Sequence, residues 1–176
     1  MATSYGPVWT VKTDTLRFTP AYTPKILMQI ESAGSNDASA YYNQYIAING
    51  TQVLSATSPR SYRATRLVWS NGWTFHSSNG YDVYGTAGQD TALLTYLQTF
   101  SNFDLLILNT WDEPNNARTA FKSELITNFR ATLQDSADWG FRCSYQLIAS
   151  KNRGVIYESI HPPASAISIN TTLYLG

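Results

Sequence analysis

The first half of the chain alternates apolar and polar residues with the two-residue period of β-strands. Within residues 25–32, for example, Ile26, Met28 and Ile30 fall on one face and Gln29 falls on the other. Asn-Gly dipeptides supply the positive φ angles that tight hairpin turns require, and two of them separate pairs of such runs. The pattern predicts strands over residues 25–32, 41–48, 51–54, 65–70 and 73–77, with hairpin turns at 49–50 and 71–72.

The period changes in the second half. Leu93, Leu97 and Phe100 recur at helical spacing, and a second apolar set repeats every four residues from Phe121 to Leu133. These patterns predict helices over residues 89–100 and 116–134. The run at 105–109 is continuously apolar, which is typical of a strand buried on both faces. Three further strands are predicted over residues 144–150, 154–159 and 166–175, so the fold class is α+β.

Length and charge narrow the class of protein. The chain has 176 residues, of which 43% are hydrophobic, so one domain with one sizeable core is expected. Twelve basic and twelve acidic residues give zero net charge, and charged residues make up only 14%, against about 25% in an ordinary soluble domain. The basic residues are scattered singly, so no nucleic-acid partner is expected. No classical signal peptide or membrane-length apolar segment occurs, so we expect no membrane insertion.

Polarity comes instead from Ser, Thr, Asn and Gln, interleaved with twelve Tyr and five Trp. This composition suits a surface that meets other proteins or sugars, because hydroxyls and amides lose little on being covered. The alternative is that Thr and Tyr serve packing within strands. Cys143 is the only cysteine and cannot form a disulfide within the chain, so we predict that it is buried and unreactive.

An acidic pair, Asp112-Glu113, follows the buried run and precedes the second predicted helix. One interpretation is an acid/base or metal-binding pair at the end of a strand, where active sites often lie. The other is that Asp112, or one of Asn115 and Asn116, caps the helix, with Pro114 at or before its first turn. The capping interpretation accounts for every residue of the segment, so we favour it.

Catalysis would require companions that the sequence does not offer. His76 lies within a strand pattern and His161 precedes two prolines, and no nucleophile, phosphate-loop or metal-protease motif occurs. We therefore predict that the protein is not an enzyme and has no catalytic, cofactor-binding or metal-binding residues.

Four short motifs occur along the chain in the order IAINGTQVL, RSYRATRLVW, DLLILNTWDEP and WGFRCSYQLIAS. Their order resembles a known module, the interleukin-like domain of the secreted ILEI and PANDER proteins, and the resemblance covers about residues 25–159. In that family an acidic loop follows a strand, and a Gly-Phe-Arg step precedes a closing strand. Asp112 and Glu113 match the acidic loop, and Gly140, Phe141 and Arg142 match the step. The resemblance implies two twisted antiparallel β-sheets, sandwich-like and flanked by two amphipathic helices, without enzymatic activity.

The chain lacks the signal peptides and disulfides of the secreted animal members, so the resemblance does not imply a hormone-like role. Similar domains occur in phage tail proteins, which assemble in the host cytoplasm and act in the virion. The resemblance thus implies a virion component of a tail, tail tip or fibre, a homo-oligomer that binds other tail proteins and the host surface. A related glycosyltransferase stem domain binds carbohydrate, so a carbohydrate-binding module is the alternative. The candidate surface-binding residues are Trp73, Trp111, Asp112 and Glu113.

The terminal segments lie outside the resemblance. We predict an N-terminal arm over residues 1–24, the interleukin-like domain over 25–159, and a C-terminal arm or strand over 160–176. Both segments contain apolar and aromatic residues that an isolated domain would gain little by exposing. They either pair with neighbouring subunits or fold back on their own domain, and the sequence leaves both alternatives open.

Overall fold

The structure is a computed structural model that describes residues 10–12, 15–17, 25–34, 43–57, 59–70, 72–115, 118–162 and 167–174. Within these residues the chain forms eleven strands, two α-helices and one short 3-10 helix. The strands are β1 (Thr10–Lys12), β2 (Thr15–Arg17), β3 (Lys25–Gly34), β4 (Asn43–Ile48), β5 (Thr51–Thr57), β6 (Ser61–Trp69), β7 (Trp73–Tyr81), β8 (Leu105–Asp112), β9 (Ser144–Ser150), β10 (Gly154–His161) and β11 (Ile167–Tyr174). The helices are α1 (Gln89–Gln98), α2 (Thr119–Phe129) and the 3-10 helix Leu133–Asp135.

Nine of these strands form two antiparallel groups. Five strands run in the order β7-β6-β8-β9-β10, and four run in the order β11-β3-β4-β5. A short parallel pair joins the two groups where β3 and β8 end, with Ala33 opposite Trp111 and Gly34 opposite Asp112. The predicted α+β class, with two antiparallel sheets and two helices, is confirmed.

The buried side chains form two clusters on opposite faces of the five-stranded group. One cluster combines Ile26, Met28 and Ile30 of β3 with side chains of β4, β6, β8 and β9. The other packs both helices against the opposite face of the five-stranded group, with members that include Leu93, Leu97, Phe121, Leu125, Leu106 and Leu108. Strand β8 contributes to both clusters, since Leu106 and Leu108 face the helices while Leu105 and Ile107 face the four-stranded group. The prediction of a strand buried on both faces is confirmed.

Both predicted hairpins form, but their turns differ. Asn49 and Gly50 have φ angles of 50° and 83°, and Ile48 pairs with Thr51, so the first turn has two residues. In the second hairpin Trp69 pairs with Trp73, which leaves a three-residue loop, and the Asn71 of its Asn-Gly pair lies outside the described residues.

The second helix is shorter at both ends than its apolar period predicts. It ends at Phe129 because Arg130 adopts the left-handed conformation, with a φ of 59°. The 3-10 helix then begins at Leu133, which still packs against the helical cluster. The four-residue period therefore continues across a helix end, and this explains why the prediction ran to residue 134.

The C-terminal strand belongs to the four-stranded group. All eight residues of β11 pair with β3, from Ile167 opposite Ser32 to Tyr174 opposite Lys25. Strands β1 and β2 pair with each other, and β2 contacts β11. Residues 167–174 therefore fold back on their own domain, which is one of the two alternatives for the terminal segments. Residues 1–9 and 18–24 lie outside the described residues.

Candidate functional site

The acidic pair lies where β8 ends beside the end of β3. Asp112 is the last residue of β8 and adopts a left-handed conformation with a φ of 65°, which directs the chain away from the sheet. The next residue, Glu113, is only 3% exposed. Its Oε1 accepts a hydrogen bond from the backbone N–H of Asn115 at 3.0 Å, and its Oε2 accepts one from the backbone N–H of Arg142 at 2.7 Å. Both carboxylate oxygens are therefore engaged with the backbone.

The structure does not support a helix cap from Asp112 or Asn115, and Asn116, the third candidate, lies outside the described residues. Helix α2 begins at Thr119, and its N-cap residue, Arg118, makes no side-chain capping hydrogen bond. Strand β8 continues through Asp112, three residues beyond the predicted run, so the acidic pair lies too far from the helix start. The following segment is fastened to β6 instead, because Ser61 Oγ donates to the Glu113 carbonyl at 2.8 Å and the Tyr62 hydroxyl donates to the Pro114 carbonyl at 2.6 Å.

The Gly-Phe-Arg step lies directly beside the acidic pair. Arg142 has a φ of 64°, and its Nε is 3.8 Å from Asp112 Oδ1. Its guanidinium carbon lies 4.7 Å from the ring centroid of Phe141, whose side chain is 57% exposed. The two motifs that support the family resemblance, 29 residues apart in sequence, thus form one cluster.

A second arginine-aromatic pair lies next to this cluster. Arg60 makes a two-pronged ion pair with Asp82, at 3.1 and 2.9 Å, and lies 5.0 Å from the ring centroid of Tyr84, which is 47% exposed. Ser61 connects the two parts, because its Oγ also accepts the backbone N–H of Tyr84 at 3.3 Å. We call the combined region the loop-end surface; it consists of Arg60, Asp82, Tyr84, Asp112, Phe141 and Arg142.

Sequence reasoning missed Arg60, Asp82 and Tyr84. A signal for one of them was present, because Asp82 and Gly85 have the spacing of an Asp-initiated turn. In the structure Asp82 Oδ1 accepts the Gly85 N–H at 2.8 Å. The stacking of Arg60 on Tyr84, however, depends on two strands meeting, and no local pattern predicts it.

Charge and burial give the acids of this region different properties. The hydrogen bond from Arg60 lowers the pKa of Asp82, and the hydrogen bond to Asp82 raises the pKa of Arg60. Burial raises the pKa of Glu113, although the N–H groups of Arg142 and Asn115 oppose that shift. Because both Glu113 oxygens already accept backbone donors, this carboxylate fastens two loops together in the structure.

The four predicted surface-binding residues do not form one surface. Trp111 is half-buried on β8 opposite Ser61, beside Asp112 and Glu113. Trp73 lies at the other end of β6, opposite Trp69, with the two indole centroids 5.4 Å apart. Trp69 lies eight positions after Ser61, so the two residues are roughly 26 Å apart along the strand.

The remaining candidates for chemistry are dispersed. His76 is exposed on β7, where its Nδ1 is 2.8 Å from Ser77 Oγ, and His161 ends β10. In the described part of the chain, no three His, Cys, Asp or Glu side chains are grouped as metal ligands would be. Cys143 is fully buried, as predicted, and burial raises the pKa of its thiol to about 11.

No protein-family model matches the chain, and no curated protein is significantly similar to it. Among the described residues, neither helix has the length and apolar character needed to cross a membrane.

Proposed function

We propose that the protein is a non-enzymatic structural component of a virion, of a phage tail, tail tip or fibre, and that it binds other tail subunits and the host surface. The observation that carries this proposal is the loop-end surface, where the two exposed rings Tyr84 and Phe141 each have an arginine against them. Aromatic residues and arginine are enriched at protein interfaces and dominate their binding energy.

The rigidity of this surface favours recognition over chemistry. Asp82 holds Arg60, and Asp112 and Glu113 hold Arg142 by its side chain and backbone. Side chains that are already ordered lose little conformational entropy when a partner covers them. Both oxygens of Glu113, the buried acid of the region, already accept backbone N–H groups, so its environment supports a structural role.

The fold supports the same proposal at a finer level. We propose that the two strand groups, which share the apolar cluster around Ile26, Met28 and Ile30, are the two sheets of an interleukin-like sandwich. The acidic pair and the Gly-Phe-Arg step contact each other, and residues of both motifs form part of the loop-end surface. We propose that this shared surface is the functional feature of the two family motifs.

A carbohydrate-binding module is the second candidate. Planar charged groups such as Asp112 and Arg142 can bind sugar hydroxyls, while an exposed ring such as Phe141 can stack on the apolar face of a pyranose. A glycan array separates the candidates. Binding of wild type that is lost in Phe141→Ala would favour the module, whereas an array without signal would remove it.

Mass spectrometry of purified particles tests the leading proposal. The chain should be present in fixed stoichiometry with other tail proteins, and Phe141→Ala should reduce its incorporation. Phe103→Ala is the matched control, because Phe103 is a similarly exposed phenylalanine, at 63%, in the connection between α1 and β8. Particles that lack the chain, or equal incorporation of both variants, would contradict the proposal.

A further inference from the structure

The outer strands of the two groups are protected in two different ways. Among the nine strands of the two groups, β5, β7, β10 and β11 each pair with only one described neighbour. A strand edge presents N–H and C=O groups that can pair with another chain, and bulges are a common protection against such pairing. Three of the four edges are interrupted in this way, by single extra residues at Val53 on β5, His76 on β7 and Ile156 on β10.

Strand β11 has no bulge. Its eight residues match β3 one for one, and its sequence, ISINTTLY, contains neither a charge nor a proline. Its neighbour is the β1–β2 hairpin, whose strand β2 contacts it. The described backbone pairing of that hairpin is internal, between β1 and β2. The β1–β2 hairpin thus lies beside β11, the most regular of the four edge strands, but forms no described backbone pairing with it.

We propose that β11 is an assembly edge, that the β1–β2 hairpin is its removable cover, and that a second copy of β11 takes the place of the hairpin. A two-fold axis pairs the same strand of two copies antiparallel, which is a common arrangement in homodimers. Because β11 is uncharged, this pairing places no like charges opposite each other. The four-stranded groups of both copies then become continuous, and the hairpin prevents this until it is displaced.

The proposed contact adds to the proposed function the place where two copies of the subunit meet. It rests on that function only for its location in a virion. A protease recognition sequence replacing residues 18–24 allows the full chain to fold before the hairpin is released. Light scattering after gel filtration should show a monomer before cleavage and a dimer of the shortened chain afterwards.

Charged substitutions locate the contact. Asn170 pairs with Gln29, whose side chain is exposed, and Thr172 lies two residues further along β11. Asn170→Lys with Thr172→Lys should keep the cleaved protein monomeric, because two-fold pairing would bring the new charges together. Gln52→Lys with Ser55→Lys is the matched control, since it adds the same charge at exposed positions of β5 and should leave the dimer intact.

Three results would overturn the inference: a cleaved protein that stays monomeric, a hairpin that stays bound through gel filtration, or a dimer that both lysine pairs affect equally. Circular dichroism on each cleaved variant verifies the fold. A cleaved protein that dimerises while the chain is absent from particles would refute only the virion proposal. A chain that is present in particles but never dimerises would refute only the assembly edge.

Discussion

Replacing Glu113 tests whether this buried member of the acidic pair stabilises the fold. Its carboxylate accepts backbone N–H groups from two separate segments, at Asn115 and Arg142. A buried donor that loses its partner costs about 1–3 kcal/mol, and hydrogen bonds to charged groups fall in the upper part of the range. Two effects reduce this loss. Both N–H groups belong to half-buried residues, so water can partly replace the lost hydrogen bonds, and removing the carboxylate also removes the free-energy cost of its desolvation. We therefore expect Glu113→Ala to lower the free energy of unfolding by about 2–4 kcal/mol.

Asp112→Asn is the matched control. Asparagine tolerates the left-handed conformation at this position, so the substitution removes only the charge that faces Arg142 at 3.8 Å. A half-exposed ion pair is worth less than about 1 kcal/mol. Urea unfolding followed by tryptophan fluorescence gives both free energies with one m-value. A loss for Glu113→Ala that is no larger than that for Asp112→Asn would refute the reasoning, because it would mean that the two backbone contacts contribute nothing.

Three further results are expected. Burial raises the pKa of Glu113 in the folded state. The free energy of unfolding of wild type should therefore exceed that of Glu113→Gln most clearly below the ordinary pKa of 4.5, and the difference should shrink as pH rises through the folded-state pKa. Unfolding of both proteins from pH 4 to 8 measures this difference. Native Cys143 should react with a thiol reagent at least 100-fold more slowly than in urea, since it is buried with a pKa of about 11, and equal rates would contradict its placement. Lys151→Met should lower the free energy of unfolding by about 3 kcal/mol, because the buried Glu124 loses its cationic partner at 3.2 Å and retains the neutral amide of Asn128, whereas Lys122→Met, next to an exposed aspartate, should lower it by less than about 1 kcal/mol; equal losses in thermal unfolding would oppose this.

The strands and helices were predictable because their signals are local. The alternation around Met28 and the four-residue period from Phe121 require only a short window of sequence. The end of β8 was not predictable in this way. Asn109 and Thr110 are polar, yet both are fully buried, because Gln44 Nε2 donates to Asn109 Oδ1 at 2.5 Å and Thr110 Oγ1 bonds with the backbone of β9. A hydropathy pattern interprets such residues as the end of the strand, and the expectation that Asp112 lies close enough to cap the helix followed from that.

The site was only partly predictable for a related reason. The acidic pair and the Gly-Phe-Arg step could each be recognised as a motif, but their contact depends on how β8 and β9 pair. The inward direction of Glu113 depends on the left-handed conformation of Asp112, and an aspartate alone does not predict it. Trp73 and Trp111 show that a shared residue type does not predict a shared site. Both were proposed as exposed tryptophans, but the strand register places them at opposite ends of β6.

A second carboxylate shows that Glu113 is not an isolated case. Glu158 on β10 accepts the backbone N–H groups of Thr132 and Leu133, at 2.6 and 3.1 Å, and the hydroxyl of Tyr145 at 2.7 Å. In both places one acid holds a connecting segment against the sheet by several donors. Glu113 and Glu158, two of only twelve acidic residues, thus each hold a connecting segment in place, and the segment that Glu113 holds contains Phe141. An exposed ring on a fixed loop is suited to meeting a partner of fixed shape, because little motion has to be lost on contact. The proposed function therefore gives Glu113 an indirect part in recognition: softening the loop through Glu113→Ala should weaken the particle incorporation that the proposal expects, even though Phe141 itself is unchanged.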